Sequence, residues 1–152
     1  MKLQDILTLD CTLCAVKGTS KKKLLEIISE TAAKKSDNLD THQLFESLMA
    51  REKVGSTGIG NGIAIPHGRL SNTSQVIAVL LTSEQAIEFD AIDNRNVDII
   101  IALFVPEENC QQHLTTLQSI AQIFSDKQIT KQVRKCQDSQ SLFNLIKHTN
   151  SQ

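Results

Sequence analysis

Tryptophan and tyrosine are both absent from this 152-residue chain, and five phenylalanines supply its entire 3% aromatic content. Single-stranded nucleic-acid platforms stack bases on aromatic rings, and sugar sites use Trp or Tyr in the same way, so neither is expected here. An excess of one charge is missing too: Lys plus Arg is 16 and Asp plus Glu is 17, for a net charge of −1. That leaves no basic footprint for nucleic acid and no polybasic patch for a membrane surface. No apolar run approaches the ~20 residues of a membrane span. The amino-terminal segment reaches Asp5 with no long apolar stretch behind it, so it does not read as a signal peptide. Four cysteines, at 11, 14, 110 and 136, are too few for a secreted disulfide scaffold. Free thiols in a cytoplasmic protein, with no membrane insertion and no nucleic-acid partner, are expected.

What is present reads as an ordinary globular chain, with 40% hydrophobic and 22% charged residues. Its length suits one domain, residues 1–152, with a core of normal size. The two cysteines of Cys11-Thr-Leu-Cys14 have thioredoxin-like spacing. That redox motif belongs at a helix start after a strand, whereas these two lie in a short apolar stretch near the terminus. They are expected to be structural. No further zinc ligands follow at suitable spacing, and no metal is expected.

Helical spacing of Leu24, Leu25, Ile27, Ile28, Ala32 and Ala33 predicts a helix from Ser20, its N-cap, to Lys35. A second helix opens at Asp40 or Thr41, with Leu44, Phe45, Leu48 and Met49 on its apolar face, and runs to about Lys53. Four of the six glycines then fall within Gly55–Gly62. Ile63-Ala64-Ile65 follows as a short strand stopped by Pro66. Val76–Leu81 and Val97–Val105 are continuous apolar runs of strand length, the pattern of strands covered on both faces. Ile87-Glu88-Phe89 is a further short strand candidate, and Asp93-Asn94 is a turn signal. Beyond Pro106 the chain reads as helical, with Leu114, Leu117, Ile120, Ala121 and Phe124 on one face. Ser125-Asp126 and Asp138 open two shorter helices. The fold expected is α/β: one domain, a mixed β-sheet flanked by helices on both faces.

The glycine-rich segment invites a nucleotide reading, which fails on context. A P-loop needs Gly-Lys-Ser/Thr opening a helix, and a dinucleotide fingerprint needs its glycines between a strand and a helix. Here a strand and a proline follow, so no helix N-terminus is available to hold phosphate. His67 is the more telling residue. Pro66 fixes the chain's approach to it, and Gly68 lets backbone or a partner come close. Arg69 stands two residues on, and Arg51 can return from the preceding helix. A neutral imidazole is a nucleophile near pH 7, and arginine forks and backbone N–H groups stabilise phosphoryl oxygens. By itself, one histidine beside a glycine loop is as readily structural.

The run Arg51-Glu52-Lys53, Gly55-Ser56-Thr57-Gly58-Ile59-Gly60 and Ile63-Ala64-Ile65-Pro66-His67-Gly68 closely resembles the active-site signature of the mannitol/fructose-type enzyme IIA proteins. These belong to the phosphoenolpyruvate-dependent phosphotransferase system, and the match is nearest to their nitrogen-related regulatory branch. Phe89–Asp93, Val97-Asp98, Leu103–Pro106 and His113-Leu114 resemble the family as well, so the likeness spans roughly residues 20–147. The resemblance implies that His67 is the phosphorylated histidine and His113 a second active-site histidine that helps hold the phosphoryl group. Arg51 is then the arginine that approaches it, with Gly68, Ser56 and Thr57 as supporting positions. Ser56 and Thr57 could donate to the phosphoryl group or only satisfy the loop. Cys110, three residues before His113, is expected to be incidental.

The function so implied is phosphoryl acceptance from an HPr-like phosphocarrier without cofactor, as a carrier rather than a turnover enzyme. Members of the regulatory branch influence potassium transporter subunits, sensor kinases and nitrogen or carbon metabolism. The alternative is a stand-alone sugar-specific IIA that passes phosphate to a IIB protein. The absence of a IIB- or IIC-like segment in these 152 residues, and of Tyr and Trp, favours regulation.

Overall fold

The computed structural model describes residues 2–71 and 73–149, with backbone only for Asn109 and Cys110. In chain order its elements are α1 (Leu3–Ile6), β1 (Thr12–Val16), α2 (Lys21–Ala33), α3 (Thr41–Val54) and β2 (Gly58–Gly60). There follow β3 (Ile63–Ala64), β4 (His67–Leu70), β5 (Ile77–Ile87), β6 (Val97–Pro106), α4 (Leu114–Phe124), α5 (Lys127–Lys135) and α6 (Ser139–Lys147). Short 3-10 turns cover Leu9–Cys11 and Glu107–His113. None of the described helices is long and apolar enough to cross a membrane.

The apolar runs become β5 and β6, an antiparallel pair at the centre of a mixed sheet in the order β1-β5-β6-β3-β2. Successive strand residues face opposite sides, so each run must be apolar throughout to feed two cores. On one side Val79, Leu81, Ile100, Ala102 and Phe104 meet Leu24, Leu25 and Ile28 of α2 and Leu44 and Leu48 of α3. On the other, Ala78, Leu80, Ile99, Ile101 and Leu103 meet Leu3, Ile120, Phe124, Val133, Leu142 and Ile146 from α1, α4, α5 and α6. The expected architecture of a mixed sheet between two helical layers is the one observed. Side-chain caps start the helices where the sequence places them: Ser20 accepts from Lys23 N, Asp40 from Gln43 N, Asp126 from Gln128 N and Asp138 from Ser141 N.

Several local expectations are corrected. Cys11 closes a 3-10 turn, and Cys14 lies in the edge strand β1, parallel to β5. Cys11 lies in the core on the α2/α3 side while Cys14 packs toward the other. Burial also raises the Cys11 thiol pKa. Cys11 and Cys14 pack into separate cores, which does not suit a dithiol centre made of these two residues. β5 runs on to Ile87, absorbing the first residue of the short strand expected at Ile87–Phe89. Residues 107–113 coil as 3-10 turns before α4 begins, so helix does not start at Pro106.

The most consequential correction concerns the segment after Pro66, which is a strand and not the end of one. β3 and β4 both pair with β6 in parallel and in one register, Ile63 opposite Ile99 and His67 opposite Leu103. They are one strand interrupted at Ile65-Pro66. Proline has no N–H for a ladder, but its carbonyl still accepts from Leu103 N at 3.0 Å. His67 is therefore the first residue after a break in a buried strand, a position held in place by the ladder on one side only.

Candidate functional site

Helix α3 lies directly on β4. Ser47 Oγ accepts from Arg69 N at 2.9 Å and donates to Arg69 O at 3.1 Å, clamping both backbone groups of one strand residue. Gly68 makes this approach feasible, because a Cβ there would stand 2.4 Å from Ser47 Oγ and 3.0 Å from its Cβ. Arg51 is one helical turn beyond Ser47 on the same face of α3. It is thereby delivered to His67, along a cleft of about 400 Å³ that both residues line with Ala50, Val54 and Arg69.

Both nitrogens of the His67 ring are engaged. Nδ1 is 3.2 Å from the Ile65 carbonyl oxygen, and Arg51 Nε is 3.3 Å from Nε2. A carbonyl only accepts and a guanidinium only donates. Nδ1 must therefore carry the proton, and Nε2 must present its lone pair. This fixes one tautomer of a neutral ring with its nucleophilic nitrogen toward Arg51. Arg51 itself is steadied by a bond from Nη1 to the Gly55 carbonyl at 2.9 Å.

Electrostatics agree with the geometry. Burial pushes the His67 pKa below its ordinary 6.5, and the charges of Arg51 and Arg69 act in the same direction. The Ile65 hydrogen bond and Glu52 oppose them without prevailing. Because the folded-state value lies below the unfolded one, the neutral ring's contribution to stability is complete above pH 6.5. It is lost as the pH falls toward the folded value. We expect the His67 ring resonances to titrate with a midpoint below 6.5, and Arg51→Gln to move that midpoint upward. A wild-type midpoint at or above 6.5, or no movement in the variant, would contradict this electrostatic account.

Ser56 and Thr57 do not turn their hydroxyl protons toward the ring. Ser56 Oγ donates to the Phe89 carbonyl at 2.7 Å and accepts from Gly58 N at 3.0 Å. Thr57 Oγ1 donates to Glu52 Oε2 at 2.6 Å. Of the two roles open from sequence, these bonds serve the loop.

Glu52 was not singled out by the sequence reading. Its carboxylate also accepts from Thr57 N at 3.2 Å and pairs with Lys21 Nζ at 2.8 Å, with its side chain only 3% exposed. Lys21 in turn sits 4.4 Å above the Phe89 ring. One carboxylate thus ties α2, α3 and the glycine loop together behind Arg51. The signal was present: an acid in the last turn of α3 opposes the helix dipole and calls for a tertiary partner.

His113 ends the 3-10 segment that packs against β4 and β6. It is 8% exposed, and its Nδ1 has no hydrogen-bond partner among the described residues. No hydrogen bond joins it to His67. A buried ring nitrogen without a partner is a costly arrangement that a ligand oxygen would relieve. The Cys110 side chain lies outside the described residues. His42 is on the surface of α3, and His148 Nδ1 is 2.7 Å from the Asn144 carbonyl at the end of α6.

Residues 5–149 match the family model described as phosphoenolpyruvate-dependent sugar phosphotransferase system, EIIA 2. The chain belongs to that family. The match extends further toward both termini than the motif resemblance did, taking in β1 and the two residues after α6. Among relatives of this EIIA 2 chain is the nitrogen regulatory protein of Klebsiella oxytoca, 44% identical over 152 residues, which cover 99% of this chain and 93% of that protein. The crystal structure of nitrogen regulatory protein IIA-Ntr from Neisseria meningitidis superposes with a TM-score of 0.88 at 33% identity, covering 95% of this chain and 98% of that one. The mannitol enzyme IIA of Escherichia coli, solved in complex with phosphorylated mannitol enzyme IIB, shares the fold. Its TM-score is 0.75 at 14% identity, with 92% and 96% coverage.

Proposed function

We propose that this EIIA 2 chain accepts a phosphoryl group on His67 Nε2 from an HPr-like phosphocarrier, and that its phosphorylation state governs which regulatory targets it binds. One observation carries the reading: a neutral imidazole whose tautomer is set from both sides, with its unprotonated nitrogen in a cleft beside two arginines.

The lone pair of Nε2 attacks the phosphorus of the donor phosphohistidine in line. The N–P bond on the donor breaks, and the donor ring leaves with that electron pair. Bond formation places positive charge on the His67 ring, and the Nδ1–H bond to the Ile65 carbonyl stabilises it. Arg51 must give up Nε2 as phosphorus arrives. Its guanidinium then pairs with the phosphoryl oxygens, exchanging a weak contact for a charge-assisted one. His113, with its unmatched ring nitrogen, supplies a second contact to the phosphoryl group. Positioning and charge do the work, and none of these steps calls on a metal or nucleotide.

Regulation is favoured over sugar transport because the nitrogen regulatory relatives reach 44% and 33% identity, against 14% for the mannitol protein. A phosphoryl group brings about −1.5 to −2 charges to the docking face, enough to change which partner surface is tolerated there. Sensor kinases and potassium transporter subunits are the partners implied, in the cytoplasm beside the donor. Incubation with phosphoenolpyruvate and the upstream carriers should give one acid-labile phosphate per chain, with the phosphorus resonance of an Nε2-phosphohistidine. Efficient onward transfer to a sugar-specific IIB protein would favour the transport reading instead. Failure to label at all would remove both.

A further inference from the structure

A second cleft lies at the opposite end of β6 from His67. Asp98 lines it, five residues along the strand from Leu103, the partner of His67, or about 17 Å at strand rise. One wall is α5, whose Lys127, Lys131 and Lys135 recur every four residues and so share a face, about 6 Å apart along the axis. The other wall holds the Asn61–Gly62 turn, Ala86, Arg95 and Asn96, and the open groove between them has a volume of about 650 Å³.

Arg134 is built into this cleft. Its Nε donates to Asp98 Oδ2 at 2.8 Å, and its Nη2 donates to Asp98 Oδ1 at 2.9 Å and to the Asn61 carbonyl at 2.7 Å. Gly62 makes room for that arrangement. Its φ is +83°, and a Cβ would stand 2.5 Å from Arg134 Nη2 and 2.8 Å from Asp98 Oδ1. Three of the five guanidinium protons are committed, which leaves the Nη1 pair available.

Five cations therefore line the cleft against one carboxylate, in a chain whose net charge is −1. That carboxylate, Asp98, is already paired with Arg134. Asp93, the acid beside Arg95, accepts from Asn61 N at 2.9 Å and Arg95 N at 3.1 Å and offsets part of the Arg95 charge, which leaves the three α5 lysines as the uncompensated cations. No ion pair within 4.0 Å involves Lys127, Lys131, Lys135 or Arg95 among the described residues. Like charges at four-residue spacing destabilise a helix slightly, so this array is unbalanced until an anion meets it.

We propose that the cleft between α5 and the Asn61–Gly62 turn binds a small anion carrying several adjacent phosphate groups. The groove is shallow and open to solvent, and its volume admits a small anion along the lysine wall. The lysines are spread along two turns of helix, with arginines opposite, so one phosphate can engage only part of the set. No aromatic side chain lines the cleft, so recognition is of the phosphates. The site does not depend on the role given to His67.

Calorimetric titration with sodium tripolyphosphate at low ionic strength should show one saturable site. Affinity should decrease from tripolyphosphate to pyrophosphate to orthophosphate. Lys131→Glu and Lys127→Glu should each weaken tripolyphosphate binding about tenfold or more, while Lys22→Glu on α2 changes it less than about twofold. ATP in place of tripolyphosphate separates the sources. Equal affinity indicates that phosphates alone are read, and tighter binding that is lost in Lys131→Glu indicates a nucleotide. Circular dichroism confirms that the variants fold. The absence of saturable tripolyphosphate binding overturns the proposal. So does equal weakening by Lys22→Glu and Lys131→Glu, or saturable binding of an acidic peptide alone.

Discussion

His67→Ala should abolish phosphoryl acceptance while leaving the chain folded. The reaction requires a nitrogen lone pair in reach of the donor, and the chain has four histidines with which to supply one. His113 is 8% exposed and cannot meet a donor protein. His42 and His148 are accessible, but neither has an arginine hydrogen-bonded to its ring to receive phosphoryl oxygens. Only His67 combines a fixed tautomer, an available nitrogen and a neighbouring guanidinium. Its ring is half-buried at the edge of a cleft, so truncation opens space without exposing either core. Incorporation of phosphate from labelled phosphoenolpyruvate should fall to background, with the far-ultraviolet dichroism unchanged. Labelling of the folded variant at the wild-type level would refute the assignment of the acceptor. His113→Ala, which keeps the acceptor, should still label but more slowly.

Glu52→Ala is expected to cost about 2–4 kcal/mol of stability, the largest effect foreseen from a residue that does not touch the acceptor nitrogen. Removing the carboxylate leaves Lys21 without its partner and takes the acceptor from both Thr57 N and Thr57 Oγ1. Lys21 keeps some access to water and its place over Phe89, which limits the loss. In a chain of this size the melting temperature should drop by roughly 5–15 °C. Glu52→Gln, which can still accept from Thr57, should lie between the two. A melting temperature for Glu52→Ala within about a degree of wild type would show that the Glu52 bonds to Lys21 and Thr57 contribute nothing, contrary to what burial of an ion pair implies.

The helices on both sides of a central strand pair were legible because their signals are local. Caps at Ser20, Asp40, Asp126 and Asp138 and the apolar spacing behind them act within a few residues. The unbroken apolar runs of β5 and β6 can be satisfied only by a sheet covered twice. β1 and β4 were not legible. Thr12–Val16 and His67–Leu70 have short, mixed patterns, and each becomes a strand only because β5 or β6 offers a parallel edge many residues away. Pro66 read as a terminator, since a missing N–H ends most ladders. Here the ladder resumes on the far side because β6 still offers donors, Leu103 N among them.

The candidate site divides along the same line. Sequence drew attention to His67, its glycine and its arginines, and it was the resemblance of the whole run from Arg51 to Gly68 to a family signature, rather than the local pattern alone, that set them above a structural reading. The sequence also set the aromatic poverty that argued against stacking platforms, and a near-zero net charge that gave no sign of a basic patch. It could not show which ring nitrogen is free. That depends on Ile65 and Arg51 meeting one imidazole from opposite sides, and the meeting depends on Ser47 clamping Arg69 across the gap left by Gly68. Nor could it show that Ser56 and Thr57 hold the loop, or that the lysines of α5 line up opposite Arg95. A near-neutral total hides a local excess of charge, because the sum over a sequence carries no positions. Composition and local pattern set which groups are available, whereas pairing across the sheet and between layers decides which of them face each other.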